Sequence, residues 1–190
     1  MFRVRALLAA LCLSATSVPV LANAQYTSDS DTIQEHIELL NTLEDMGINV
    51  QMNNHFICQR EAPNVAGFWV GSQKLFVVCQ QAIRNSKFPV WDGEVQRASD
   101  DDLDTIRHEA HHVIQDCMDG KIDGSLVEYL DQENQAEFYE HYPEWKIDYI
   151  KEQYSNESPR IIKLEIEAWA VADLVSAESI QEVLIRECSM

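Results

Sequence analysis

Apolar residues recur at helical spacing near the start of the chain. Ile33, Ile37, Leu40 and Met46 precede Gly47, and Asp31 or Thr32 is placed to cap the helix they predict. The period then changes. Residues 48–58 read as extended, and Phe68-Trp69-Val70 and Leu75-Phe76-Val77-Val78 are two strand-favouring runs joined by Gly71-Ser72-Gln73-Lys74, which predicts a hairpin. After Gln96 the pattern is helical. Ser99 followed by Asp100, Asp101 and Asp102 marks a helix start, with carboxylates at the positive end of its dipole. Leu103, Ile106, Ala110, Val113 and Cys117 then form one apolar stripe. Further helices are expected from Ser125 to Tyr139, after Pro143, from Ser158-Pro159, and from Ser176 or Ser179 to about Cys188. Strands followed by helices, with no linker between them, predict a single α+β domain over residues 25–190, a small antiparallel sheet and then helices.

The first 24 residues follow a different logic. Arg3 and Arg5 precede an apolar stretch from Ala6 to Leu21, and Ala22-Asn23-Ala24 offers small residues at the −3 and −1 positions of a cleavage site. A secretory signal peptide over residues 1–24 is expected. Ser14, Thr16, Ser17 and Pro19 break the apolar run, which argues against a lasting membrane anchor. Cleavage would remove Cys12 and leave Cys58, Cys79, Cys117 and Cys188 in a periplasmic or secreted protein, where two disulfides are expected. Cys58 and Cys79 end two extended segments, Cys117 closes a helix and Cys188 nearly closes the chain, so the pairs 58–79 and 117–188 are favoured. A four-thiolate zinc site lacks the C-x-x-C spacing it would need.

Charge narrows the partners. Against 32 acidic residues stand only 14 Lys and Arg, a net charge of −18, and such a surface repels phosphate backbones and anionic headgroups. Nucleic-acid binding and membrane-surface binding are therefore disfavoured. The acidic runs Asp29-Ser30-Asp31 and Asp100-Asp101-Asp102 lack the spacing and glycine of an EF-hand, and read as solvated loop or helix start.

The chemistry is concentrated in His108-Glu109-Ala110-His111-His112, which fits H-E-x-x-H. Residues four apart on a helix share a face, so His108 and His112 can both offer imidazole nitrogens to one metal ion, and Zn²⁺ suits such donors. Glu109 is placed to handle a proton on a water at that metal. The pair falls nearly opposite the apolar stripe, so one face of the helix anchors it while the other floors a cleft. His111 points to one side and reads as a surface or substrate-facing residue. The metzincin continuation with a third histidine is absent. A third ligand must come from elsewhere, and Leu164-Glu165-Ile166-Glu167-Ala168-Trp169-Ala170 supplies two acidic candidates. Glu165 and Glu167 point in roughly opposite directions, both from largely apolar settings, and periodicity does not choose between them. The plain alternatives are a surface pair of Glu167 with Lys163, and a rim position for Glu165.

With these two motifs the chain resembles the gluzincin metallopeptidases, in which H-E-x-x-H is completed by a glutamate from a later helix. In many small members that glutamate is followed by alanine and soon by another small residue, and Glu167-Ala168-Trp169-Ala170 is similar to that element. The resemblance therefore implies His108, His112 and Glu167 as metal ligands, Glu109 as the catalytic base, a zincin-like fold, and an edge strand that binds extended peptide. One departure is plain: where some members carry an Asp four residues after the ligand, this chain has Val171, with Asp116 or Asp173 as possible substitutes. Tyr129, Tyr139, His141 and Tyr142 are candidates by type for an oxyanion donor. The implied activity is that of an exported zinc-dependent peptidase acting on peptides or proteins. The alternatives are a non-catalytic metal-binding domain and an acidic interaction domain.

Overall fold

The computed structural model describes residues 30–81 and 98–188. The expected signal peptide lies outside the described residues. Helix α1 (Ser30–Asp45) ends before Gly47, whose φ of +78° suits a residue without a side chain. Strands β1 (Asn49–Met52), β2 (Gly67–Val70) and β3 (Leu75–Val78) follow. The helices are α2 (Asp100–Cys117), α3 (Gln132–Glu140), α4 (Glu144–Gln153), α5 (Pro159–Leu174) and α6 (Ala177–Cys188). The fold is α+β, as the pattern predicts. Among the described residues no helix is long and apolar enough to cross a membrane.

The sheet differs from expectation in one respect. The hairpin is antiparallel, with Trp69 opposite Phe76, but the order is β1-β3-β2 and β1 runs parallel to β3, so the sheet is mixed. Only four residues of the expected extended stretch pair as strand. Asn53 then turns the chain at φ +58°, its side chain tied to Gln80 at 2.7 and 3.0 Å, and residues 57–61 form a π-helical turn. The chain between β1 and β2 thus crosses to the far edge of β3 instead of closing a meander.

Helix α2 is the centre of the molecule, with α5, α6, α1 and the sheet packed around it. Its start is a capping box: Ser99 Oγ accepts from Asp102 N, and Asp102 accepts from Ser99 N. Its apolar stripe joins Leu39, Leu43, Phe76, Ile180 and Leu184 in one core. Because α5 and β2 cover the opposite side, that face is buried as well, and the histidines lie inside the protein. Disulfides Cys58–Cys79 and Cys117–Cys188 are both formed, with Cα atoms 5.4 and 5.5 Å apart. They tie the π-helical turn to the end of β3, and the end of α2 to the end of α6. Such bridges persist in oxidising compartments.

The expected helix from Ser125 begins only at Gln132. Its first residues are held extended because their amides are taken elsewhere. Ser125 N donates to Asp116, Val127 N to the Gln115 carbonyl, and Tyr129 N and Leu130 N to Glu167. Donors engaged by α2 and α5 cannot serve an i→i−4 ladder.

One buried histidine outside the motif carries a pH consequence. His36 is fully buried, with Nδ1 donating to the Thr32 carbonyl at 2.7 Å and Nε2 receiving Arg107 Nη1 at 2.8 Å. Burial, despite the Thr32 hydrogen bond and together with the Arg107 charge, lowers its pKa to about 4. The folded state therefore resists a proton that the unfolded chain accepts below about 6.5. Stability should be independent of His36 above pH 6.5 and fall by about 3 kcal/mol as pH drops from there to 4. Urea unfolding across that window should show wild type losing about 3 kcal/mol relative to His36→Gln, which carries no titrating group there, as pH drops from 6.5 to 4; parallel curves would refute the assignment.

Candidate metal centre

His108 and His112, one turn apart on α2, bring their Nε2 atoms to 3.1 Å from each other. Glu165 of α5 completes a triangle, with carboxylate oxygens 3.4 Å from His108 Nε2 and 3.5 Å from His112 Nε2. Donor atoms of His108, Glu109 and His112 all lie within 4.8 Å of one another. All four side chains are buried. This is a group able to hold a metal ion. The donor set fits one, because Glu165 Oε2 is buried with no hydrogen-bond donor and two imidazole nitrogens converge on the same space. Such an arrangement is costly unless a cation satisfies it.

The electrostatics carry the same strain. Burial lowers His108 to about 4. Burial also works against a charged His112, but the Glu165 carboxylate outweighs it and lifts the pKa to about 9. Glu165 itself is held well below the usual carboxylate range: burial opposes this, and the His112 and His108 rings overcome it. Glu109, whose carboxylate accepts the Trp69 backbone N–H, is pushed up to about 8 by burial, with His112 opposing and Glu165 adding to the shift. Gly67 of β2 explains the close approach of strand and helix. A Cβ there would fall 2.7 Å from Thr105 Cγ2 and 3.0 Å from both Glu109 Cγ and the Val77 carbonyl.

Glu167, the third ligand implied by the resemblance, is not part of this group. Its side chain is fully buried on another side of α5, accepting from His111 Nε2 at 2.7 Å, Gln115 Nε2 at 3.0 Å, Tyr129 N at 3.0 Å and Leu130 N at 3.2 Å. Two residues along a helix is a rotation of about 200°. The packing of α5 against α2 turns Glu165 to the His108–His112 pair and Glu167 to His111. His111 is thus neither surface nor substrate-facing: it is 1% exposed and paired with Glu167. Lys163 pairs with Glu128 instead.

A cavity of about 390 Å³ opens over the metal group. Strand β2, with Gly71 directly after it, forms one wall, and Ile57, Ala62, Leu126 and Tyr154 line much of the rest. Among its described lining residues Glu61, Glu109, Asp123 and Glu165 are acidic, and none is Lys or Arg. Tyr154, which sequence reasoning passed over, is the only phenol among the described lining residues. It hydrogen-bonds to Glu165 and to Trp169, and Trp169 packs on the His108 ring with centroids 4.3 Å apart. Tyr154 directly follows α4, at a position no periodicity marks. The tyrosines expected by type are elsewhere: Tyr129 contacts Arg186, Tyr142 hydrogen-bonds Asp173, and Tyr139 and His141 do not line the cavity. Asp173 pairs with Lys146, and Asp116 with Trp69 and the 123–125 amides, so neither orients a histidine of the motif.

No characterised protein and no solved structure matches the chain. A family model described as a domain of unknown function, DUF8637, matches residues 26–189, and the chain belongs to that family.

Proposed function

We propose that the protein is an exported zinc-dependent peptidase, with His108, His112 and Glu165 as the metal ligands. The observation that carries this reading is the donor triangle of 3.1, 3.4 and 3.5 Å beside Glu109. Tetrahedral zinc with bonds of about 2.0 to 2.1 Å spaces its donors about 3.3 Å apart. When bound, zinc supplies a Lewis acid that polarises a carbonyl and acidifies a water. Glu109 accepts the proton of the attacking water and delivers it to the leaving amine. The Tyr154 hydroxyl, in the cavity and beside Glu165, donates to the oxygen on which negative charge develops. The cavity wall formed by β2 suits an extended peptide laid along a strand edge. Two disulfides support placement outside the cytoplasm, and the leader expected at residues 1–24 agrees with periplasmic or secreted protein.

Full-length mature protein with its disulfides formed should bind one zinc ion and generate new N-termini from a random peptide mixture. Glu165→Ala should lose metal and activity together. Tyr154→Phe should keep the metal and lose about 10²-fold in kcat. Protein that takes up zinc yet cleaves nothing is the non-catalytic metal-binding domain. Protein that takes up none leaves the acidic interaction domain as the better account.

A further inference from the structure

Gln115 is fully buried beneath the metal group, and its three polar neighbours leave its amide a single orientation. Nε2 lies 3.2 Å from the Leu164 carbonyl and 3.0 Å from Glu167 Oε1, both pure acceptors, so the NH₂ group must face them. Oε1 then faces His112 Nδ1, at 2.7 Å. An amide oxygen only accepts, so His112 Nδ1 carries a proton and Nε2 is the nitrogen directed at the space shared with His108 and Glu165, free to offer its lone pair to a metal bound there. The arrangement is one-sided. His108 Nδ1 is buried with no hydrogen-bond partner, and its ring is held by packing on Trp169.

We infer that Gln115 is the positioning residue of the metal centre, fixing the tautomer and pose of His112, and that Glu167 acts on the metal through Gln115 without touching it. This rests on the metalloenzyme reading given above. Glu167 is well suited to the task because its other donors, His111 Nε2 and the Tyr129 and Leu130 amides, come from two separate parts of the chain. The carboxylate is therefore fixed from several directions, and so is the amide that leans on it. Partners of this kind, one bond removed from the metal, commonly change affinity by about 10- to 100-fold. Loss of zinc on substitution at position 167 would then be expected even though Glu165 is the ligand.

The experiment uses the full chain with disulfides intact. Zinc dissociation constants are measured by competition with a chromogenic chelator for wild type, Gln115→Met, Glu167→Gln and Glu165→Ala. Gln115→Met keeps the volume and removes the acceptor, and its constant should rise about 10- to 100-fold, with a smaller rise for Glu167→Gln. Cobalt-loaded Gln115→Met should retain the absorption of wild type because no ligand has changed, whereas Glu165→Ala should alter it. Nitrogen-15 NMR of zinc-loaded wild type should find the His112 proton on Nδ1, a readout that needs no variant to fold. Gln115→Met binding zinc within twofold of wild type, or His112 carrying its proton on Nε2, overturns the inference and leaves the metal centre intact. Wild type that takes up no zinc overturns both.

Discussion

Glu109→Gln should lower kcat for peptide hydrolysis by about 10³- to 10⁴-fold while leaving zinc affinity and KM within a few-fold of wild type. The substitution preserves size and keeps an oxygen that can accept the Trp69 backbone N–H, so the fit between β2 and α2 survives. That fit matters because Gly67 admits no extra carbon against Thr105 and Glu109. The three proposed ligands, His108, His112 and Glu165, are unchanged. What is lost is the one carboxylate of the His108–Glu109–His112–Glu165 group that is not a proposed ligand, and with it a site for the proton during attack. Steady-state kinetics on metal-analysed protein decide the matter. A fully loaded Glu109→Gln enzyme retaining a tenth of the wild-type rate would assign the proton transfer to another group. Unchanged kcat with raised KM would make Glu109 a substrate-binding residue.

The helical part of the fold was legible because its signals are local. Ser99 with Asp102, Ser158 with Pro159, and the stripe from Leu103 to Cys117 each need only a few neighbouring residues to be read, and each stands where expected. The cysteine pairs stand as expected, although Cys58 lies in the π-helical turn and not at the end of an extended segment. The H-E-x-x-H residues were legible for the same reason: a four-residue spacing on a helix is itself a geometry. The choice between Glu165 and Glu167 was not. Two acidic residues on α5 meet two sets of imidazoles on α2, the His108–His112 pair and His111, and the sequence holds all five groups without their matching. Only the way the two helices cross assigns them. A trace of the answer was present, since a third histidine in so central a helix needs an acceptor of its own once buried. The misjudged segment from Ser125 to Asp131 has a related cause. Its residues tolerate a helix, but Asp116 and Glu167, distant in sequence, capture its amides.

Asp116→Ala should cost on the order of 4 kcal/mol, a large part of the 5–15 kcal/mol that holds a typical domain together. Asp116 is fully buried and saturated with donors. Oδ1 accepts from the amides of Asp123, Gly124 and Ser125 at 3.1, 2.7 and 3.1 Å, and Oδ2 accepts from Trp69 Nε1 at 2.8 Å. Alanine strands all four donors, among them the buried Trp69 indole N–H. The packing here allows no collapse to compensate, since a Cβ on Gly71 would meet Asp116 Oδ2 at 1.8 Å and the Gly124 backbone at 2.5 and 2.6 Å. Asp116→Asn is the gentler probe. One side of its amide must present N–H groups to donors, either to Trp69 or to the loop, and the expected cost is about 2 kcal/mol. Trp69, Gly71 and Gly124 all line the cavity, so the same carboxylate that stabilises the fold also holds two walls of the site together. Urea unfolding of Asp116→Asn, Trp69→Phe and the double variant should give a coupling of about 1 kcal/mol or more between the two positions. Additive losses, or an Asp116→Asn protein within 0.5 kcal/mol of wild type by the linear extrapolation, would show that the clamp is dispensable and that the cavity wall is held by packing alone.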